Sequence, residues 1–397
     1  MPRVGWVRPR ADQRLSDHLS IGVLTSVFPP DLVDEVIEST SCVEQRSRLM
    51  PARLTTYFVL ALTLFRSEGY VDVVRQLVAG LEWASGWRGK WHVPSSPGLS
   101  KARTRLGPGA VEELFKRTAG PVKCGSLVGG LIPVAVDGTV LDIPDTSANE
   151  HYFGRPPNRN DSPSAYPQAR VVALAQCSTH GMLAASVGPL RNGEQTLVRD
   201  LFGALDQTMM LLADRLFFSF SLWEQALATG AGLCWRMKQN SVLPVRQVLS
   251  DGSYRSRIYP DANSRRRDTG GIDVRVVEYQ VGDNPETIRL ITSITDPATA
   301  SAEQIAQAYR HRWHIETSFD ELKTHQGGSG LVLRSKTPGM VLQEIWSFLC
   351  VHLAIRRIIA DTAINAGRDP TEASFTAALR SARLTVVTHP GFSPHSP

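Results

Sequence analysis

One acidic residue inside a hydrophobic strand constrains the fold of this chain more than any other sequence feature. The segment LIPVAVDGTVLDI, residues 131–143, has the run of apolar and β-branched residues that is typical of a buried strand, and Asp137 lies in its middle. A buried carboxylate is unfavourable unless an ion pair, hydrogen bonds or a metal ion compensates its charge. The segment therefore predicts a buried sheet with a paired or metal-bound carboxylate at Asp137; a purely structural acid is the alternative.

The elements after this strand follow an order that is typical of one α/β architecture. They are the strand ARVVALAQC, the turn STHG, the strand MLAASVGPL, a helix over residues 192–205, the strand MMLLADR, a helix over residues 222–228 and the strand LCWRMK. The order is βββαβαβ, with Asp137 on the first strand and Asp214 at the end of the fourth. We therefore predict a ribonuclease-H-like mixed sheet with helices on both faces.

Changes in pattern along the 397 residues predict five segments. They are a helical N-terminal domain (1–125), a ribonuclease-H-like domain (126–238 and 297–335), a β-rich insertion into it (239–296), C-terminal helices (336–385) and a disordered tail (386–397). In the first domain, Lys101, Arg103 and Arg105 lie on one predicted helix. This basic helix would suit the major groove of DNA, or would simply face solvent.

Composition narrows the class of protein only moderately. The hydrophobic content of 42% allows a large core, and the net charge of +5 is a mild basic bias that is compatible with a nucleic-acid partner. The five cysteines are scattered and form no CxxC pair, so we expect no zinc site, no disulfide framework and a reducing cytoplasmic location. The apolar run at residues 57–65 is too short to span a membrane, so no membrane association is expected.

A second pattern lies in AYRHRWHIETSFDELKTHQ, residues 308–326. If this segment is one α-helix, Arg312, Glu316 and Lys323 lie within roughly 60° of Tyr309 around its axis. A carboxylate flanked by Arg and Lys on one stripe suits a metal site that also binds a phosphate, whereas solvated charge pairs are the alternative. The apolar residues expected to anchor the neighbouring stripe on a core are Ile315, Phe319 and Leu322.

Three carboxylates on three separate elements, Asp137, Asp214 and Glu316, form the candidate catalytic set. Oxygen ligands suit Mg²⁺ or Mn²⁺, and two such ions can activate a water and stabilise the leaving oxygen in phosphodiester cleavage. Asp214 could instead cap the following helix. Asp142 and Asp145 are rivals of Asp137, but they follow the apolar part of the strand, where turn formation explains them.

These blocks together resemble the DDE transposases of the insertion-sequence-four family. The spacing of Tyr309, Arg312, Glu316 and Lys323 matches the family's Y-x2-R-x3-E-x6-K signature. VAVDGTVLDIPDT resembles the block around its first Asp and LLADRLFFS the block around its second, so the ordered match covers residues 132–326. The gap of 102 residues from Asp214 to Glu316 is expected when a β-rich insertion interrupts the catalytic domain, as in this family.

The resemblance implies a catalytic and metal-binding triad of Asp137, Asp214 and Glu316. This triad would hold two divalent ions, Mg²⁺ or Mn²⁺, for hydrolysis at the transposon end and for attack of the freed 3′-hydroxyl on target DNA. The implied partners are double-stranded DNA, both transposon ends and target, and a second copy of the chain in a synaptic complex. The expected location is the cytoplasm, in association with the nucleoid.

The same resemblance implies a DNA-binding role for the rest of the signature. Arg312 would bind a phosphate near the scissile bond, for which its bidentate geometry is suited. Lys323 would contact the DNA backbone as a point charge. Tyr309 would hydrogen-bond a phosphate or orient Arg312; a partly buried anchor is the alternative.

The insertion departs from the family pattern in one respect. Some relatives stack a flipped base on a Trp in the last strand of the insertion, but TIRLITSIT has no aromatic residue, so such a role would fall to Trp235 or Tyr279. The run Arg265, Arg266 and Arg267 could follow a phosphate backbone or form an exposed, solvated loop.

The leading hypothesis is a DNA transposase that cuts at terminal inverted repeats and joins the 3′ ends to target DNA. One alternative is a transposase-derived DNA-binding protein without catalysis, which the presence of all three acids disfavours. Another is a metal-dependent nuclease of the same fold, which would not need an N-terminal domain for end recognition.

Overall fold

The computed structural model describes residues 23–45, 48–84, 93–122, 124–125, 128–157, 166–280 and 287–388. Residues 389–397, most of the predicted disordered tail, lie outside this range. The α-helices are α1 (Val23–Val27), α2 (Pro30–Ser39), α3 (Ala52–Leu64), α4 (Tyr70–Ala84), α5 (Ser96–Leu106), α6 (Gly109–Thr118), α7 (Ser147–Phe153), α8 (Glu194–Leu197), α9 (Phe220–Leu227), α10 (Ala262–Arg267), α11 (Ala302–Arg310), α12 (His314–Asp320), α13 (Pro338–Asn365) and α14 (Phe375–Thr388). The strands are β1 (Ile132–Asp142), β2 (Gln168–Gln176), β3 (Met182–Pro189), β4 (Met209–Ala213), β5 (Gly232–Arg236), β6 (Gln247–Val248), β7 (Tyr254–Ile258), β8 (Ile272–Gln280) and β9 (Thr287–Thr292).

The chain divides into two compact units. The helical unit consists of residues 1–119, 141–168 and 320–397, and the sheet unit of residues 120–140 and 169–319. Together they give the α/β class that the sequence predicts, with a helical N-terminal region before a mixed sheet.

The helical unit is built around α13. This helix packs against α3, α6 and α14, and most of its 28 residues are buried. By length and composition α13 could cross a membrane, but 78% of its most apolar window is buried inside the protein, as in the core helix of a globular unit. It begins at Pro338, where the missing N–H of proline costs no helical hydrogen bond.

The basic helix expected in the N-terminal domain is α5, and its central cation does not face solvent. Arg103 is buried, and its guanidinium donates to Gln343 Oε1 (2.9 Å), to Ser335 Oγ (3.2 Å) and to the Tyr70 hydroxyl. The interpretation of Arg103 as part of a DNA-facing basic helix is therefore wrong. The side chain instead joins α5 to α13, because a buried guanidinium must have its donors satisfied.

The sheet unit contains one nine-stranded sheet of order β3-β2-β1-β4-β5-β9-β8-β7-β6. β1, β4 and β5 are parallel, and β5 pairs antiparallel with β9. The strands expected in the insertion, β7 to β9, are present and continue the central sheet through the β5–β9 pair. A single sheet thus links the centre of the unit to the insertion.

Both faces of the central strands are covered by helices. On one face, alternate residues of β1, β4 and β5 form a core cluster with the helical segment after β3 and with α9; the large members include Val136, Leu211, Trp223 and Trp235. On the other face α11 packs against β5 and β8. Since side chains alternate along a strand, residues one position apart in β1 point to different helical layers.

Candidate functional site

Two of the three predicted carboxylates lie on adjacent parallel strands, Asp137 in the middle of β1 and Asp214 directly after the last residue of β4. β1 pairs with β4 in the register Ala135 to Leu212. The same register, continued by two residues, sets Asp137 beside Asp214, and neighbouring strands are about 4.8 Å apart. Both side chains are half-buried. The sheet therefore brings together two acids that are 77 residues apart in the sequence.

The segment that carries Glu316 is helical but is not one α-helix. α11 ends at Arg310, a 3-10 turn covers His311–Trp313, α12 follows, and a π-helical segment covers Glu321–Gln326. The prediction of a single straight stripe is therefore wrong, because a 3-10 turn advances by roughly 120° per residue and a π-helix by less than an α-helix. The predicted apolar anchors Ile315, Phe319 and Leu322 are buried, which confirms that part of the pattern.

Arg312 connects the carboxylates of the sheet and the helix. Its Nη1 lies 3.5 Å from Asp137 Oδ2, and its Nη2 donates to Glu316 Oε1 at 3.0 Å. The guanidinium also stacks on the Trp313 ring, with 5.0 Å between Cζ and the ring centroid. The Arg312 side chain is only 7% exposed, whereas that of Glu316 is 44% exposed. A nearly buried cation thus lies between an acid of β1 and an acid of α12.

Tyr309 makes the corresponding contact with the third acid. Its side chain is buried, and its hydroxyl donates to Asp214 Oδ1 at 3.5 Å, the long limit for a hydrogen bond. Two side chains of the signature therefore contact the three acids: Arg312 contacts Asp137 and Glu316, and Tyr309 contacts Asp214. All five residues belong to the sheet unit.

The electrostatics of the site follow from burial and from this crowding of acids. Burial raises the pKa of Asp137 above its usual range, and the nearby Glu316 and Glu194 carboxylates add to the rise, while the Gly138 N–H and Arg312 oppose it. For Arg312, burial disfavours the charged form, but interactions with the surrounding acids and Tyr309 outweigh it and raise the pKa of the guanidinium. Arg312 therefore remains a cation.

The donor atoms of the site match a hard divalent cation. Asp137, Asp214 and Glu316 offer only carboxylate oxygens, the ligands that Mg²⁺ and Mn²⁺ prefer. Throughout the described ranges, no three Asp, Glu, His or Cys side chains converge closely enough to hold a metal ion. The Arg312 guanidinium lies against two of the carboxylates and supplies the compensating positive charge. The types of donor atom therefore suit a divalent ion, while the positions of Asp137 and Glu316 are set by their contacts with Arg312.

Lys323, the last residue of the signature, belongs to the helical unit. It is half-buried on the π-helical segment Glu321–Gln326. Glu321 in the same segment is buried and pairs with Arg356 and His352 of α13. The π-helical geometry of this segment is therefore stabilised by contacts to α13, and it changes the direction of Lys323 from the one expected for an α-helix.

Two features near the site were not singled out from the sequence. The half-buried Glu194, at the start of α8, packs closely on Gly138 of β1. A Cβ added to Gly138 would lie 2.6 Å from the carboxylate carbon of Glu194. His180 Nε2 and His314 Nδ1 are 2.6 Å apart, and His311 lies 3.3 Å from the other nitrogen of His314. Gly138 is the one sequence signal that another group packs against β1 next to Asp137. A glycine inside a strand often marks such a close approach, because it has no side chain in the way.

The rival acids of Asp137 have structural partners. Asp142 Oδ1 accepts a hydrogen bond from Gln168 Nε2 at 2.8 Å, and Asp145 pairs with Arg155 at 2.7 Å.

Trp235, considered for base stacking, is 1% exposed within the core cluster, so it is not available to a nucleic acid and that interpretation is wrong. Stacking needs an accessible aromatic face.

Comparisons with known proteins agree with the sequence pattern. A model of the N-terminal region of insertion element 4 transposases matches residues 18–116, and a transposase DDE domain matches residues 129–353. The transposase InsG for insertion sequence element IS4 of Escherichia coli strain K12 is 26% identical over 383 residues, 94% of this chain and 84% of that protein. The putative transposase InsZ of the same strain is 25% identical over 226 residues, 56% of this chain and 73% of that protein.

A solved structure is also similar. It is the cryo-EM structure of a piggyBac transposase synaptic complex with hairpin DNA, which matches 92% of this chain and 79% of that chain with 11% sequence identity and a TM-score of 0.48.

Proposed function

Because this chain belongs to the DDE transposases of the insertion element 4 family, a class of DNA-cleaving and strand-transferring enzymes, we propose that its catalytic centre is formed by Asp137, Asp214 and Glu316. The observation that carries the proposal is the chain of contacts from Asp137 through Arg312 to Glu316, together with the contact from Tyr309 to Asp214. The proposed fold of this centre is ribonuclease-H-like.

Each residue of the proposed centre has a distinct role. Divalent ions held by the three acids would activate a water or a 3′-hydroxyl and stabilise the leaving oxygen. Arg312 touches two of the acids, so a phosphate bound to its guanidinium would lie beside both carboxylates. Tyr309 holds the side chain of Asp214, and Trp313 holds Arg312 in place by stacking.

The partners and location follow from the same proposal. The DNA substrates are the terminal inverted repeats of an insertion sequence and a target duplex, and Lys323 contacts their backbone. The N-terminal region, residues 1–125, would recognise the ends. Since two ends must be cut together, we infer a homodimer in the DNA complex, acting in the cytoplasm at the nucleoid.

The test is a cleavage assay on a duplex that carries the inverted repeats flanking the gene. We expect nicking at the repeat tip that depends on Mg²⁺ or Mn²⁺ and is lost in Glu316→Gln, since an amide removes one negative ligand while keeping the size of the side chain. Glu303→Gln is the matched control, because Glu303 is an exposed acid in the first turn of α11.

The variant Arg312→Lys separates binding of the phosphate from binding of the ion. It keeps the charge between the two acids but loses the bidentate geometry, so cleavage should fall while folding is retained. Tip cleavage that persists unchanged in Glu316→Gln would exclude the proposed centre. Specific binding of the duplex without cleavage in the wild type would instead favour a DNA-binding protein that has lost catalysis.

A further inference from the structure

The insertion presents a group of cations that takes no part in the proposed catalytic centre. α10 lies in the connection between β7 and β8, near the β6 edge of the sheet. Its last turn consists of Arg265, Arg266 and Arg267, and all three side chains are exposed. We refer to these three residues as the α10 arginine group.

The helix that carries this group is ordered without using the arginines. Asp261 is the N-cap, and its Oδ1 accepts from the backbone N–H groups of Asn263 (2.7 Å) and Ser264 (2.8 Å). At the other end Asp268 ends the helix in a left-handed conformation with φ of 52°. These caps fix a six-residue helix that would be too short to form alone.

The two acids next to the group are already occupied. Asp261 caps the helix, and Asp268 Oδ1 accepts from the Tyr259 hydroxyl (2.6 Å), Arg246 (2.8 Å) and Arg257 (3.2 Å). The hydrogen bond from Tyr259 and the Arg246 contact hold the pKa of Asp268 below its usual range, so it stays charged toward those partners. Within the described part of the chain, no acid pairs with an arginine of the α10 group.

The geometry of the group suits the DNA backbone better than base edges. Consecutive residues of a helix lie about 100° apart around its axis, so the three guanidinium groups spread around the last turn and do not form one stripe for a groove. A spread of fixed cations neutralises phosphates, whereas sequence is read by side chains that converge on base edges. The alternative is that the three arginines contact no nucleic acid and are simply solvated.

We propose that the α10 arginine group binds the phosphate backbone of double-stranded DNA, independently of sequence. This inference rests on the proposed function, since it assumes that the protein binds DNA. It assigns the insertion a direct role in holding the duplex, at a surface separate from the acids of β1, β4 and α12.

The test measures the salt dependence of DNA binding by the full-length protein. Fluorescence anisotropy titrations in EDTA, between about 50 and 200 mM salt, give the slope of log K against log[salt], which changes by about 0.9 for each phosphate contact. We expect the triple variant Arg265→Gln/Arg266→Gln/Arg267→Gln to reduce the magnitude of the slope by about 1 to 3. The triple Arg→Lys variant should keep the wild-type slope, which excludes misfolding as the cause.

A matched control removes the same net charge elsewhere. Arg199, Arg368 and Arg380 are exposed arginines elsewhere in the chain, and their triple Gln variant should keep the wild-type slope. Two duplexes are titrated separately, one with the inverted repeat and one of unrelated sequence. Because the proposed contact does not depend on sequence, the slope should fall by the same amount with both, and a loss with only one duplex would contradict the proposal. An unchanged slope with both duplexes, or an equal loss in the control, would overturn the proposal.

The failure of this inference is distinguishable from the failure of the proposed function. EDTA removes divalent ions, so the slope reports binding alone and does not depend on whether the protein cleaves. If cleavage at the repeat tip did not depend on Glu316, the proposed catalytic centre would be refuted. The comparison of the salt slopes would still be valid. A wild-type protein that binds neither duplex would refute both.

Discussion

The buried ion pair between Glu321 and Arg356 gives the sharpest prediction about stability. Arg356 Nε donates to Glu321 Oε2 at 2.7 Å, a second guanidinium nitrogen contacts Oε1, and His352 Nε2 lies 3.1 Å from Oε2. The three side chains are at most 5% exposed. We predict that Arg356→Met strongly destabilises the helical unit, because it leaves a buried carboxylate without its cation.

The magnitude follows from the burial of the pair. Removing one partner of a buried ion pair costs about 3–5 kcal/mol, because the remaining charge is neither hydrated nor compensated. His352 does not take over, since burial lowers its pKa to about 3 and the ring stays neutral. The methionine keeps the apolar stem of the side chain and loses the guanidinium, whose Cζ also lies 5.6 Å from the centroid of the Phe375 ring, so the loss comes mainly from the charge.

A double-mutant cycle isolates this effect. The variants are Arg356→Met, Glu321→Gln and the double variant, with free energies of unfolding taken from urea titrations at neutral pH. Each single variant should lose about 3–5 kcal/mol, and the double variant should lose less than either because no unpaired buried charge remains. The exposed pair Lys116–Glu112, at 2.6 Å, is the control and should couple by no more than about 0.5 kcal/mol.

One result would refute this reasoning. If the losses of the two single variants simply add in the double variant, Glu321 and Arg356 do not interact energetically. The π-helical segment that carries Lys323 would then be held by other contacts of the helical unit.

Two further predictions concern the same unit. In Gly327→Ala the new Cβ would lie 2.5 Å from the Lys323 carbonyl oxygen, so the free energy of unfolding in urea titrations should fall by about 1–3 kcal/mol. The control Gly339→Ala has open space around its new Cβ and should be neutral or slightly stabilising. Equal losses in the two variants would contradict the argument. Because the native pKa of His352 is about 3 and that of a free histidine about 6.5, the unfolded chain gains a proton that the native chain does not. Stability should therefore fall by about 1.4 kcal/mol per pH unit from about 6.5 downward. His352→Gln should flatten this dependence, and an identical pH profile in the variant would argue against a neutral buried ring.

The local patterns of this sequence were sufficient to predict its main elements. The buried-strand pattern around Asp137 and the apolar run before Asp214 predicted β1 and β4, because a strand that is covered on both faces must be apolar almost throughout. The spacing from Tyr309 to Lys323 predicted a helical segment, and the order of elements predicted a mixed sheet. The roles of the individual site residues remain predictions.

Only the tertiary structure decided how these elements meet. The β1–β4 register sets Asp137 beside Asp214, and the fold brings Arg312 to Asp137. Neither contact has a local signal, because each joins residues far apart in the sequence, whereas the Arg312–Glu316 pair spans only four residues of the helical segment. In the same way, the π-helical segment before Gly327 forms a buried ion pair with α13, and the buried Arg103 donates to Gln343. Sequence periodicity reports the local backbone, whereas the partner of a buried charge is selected by the packing of the whole unit.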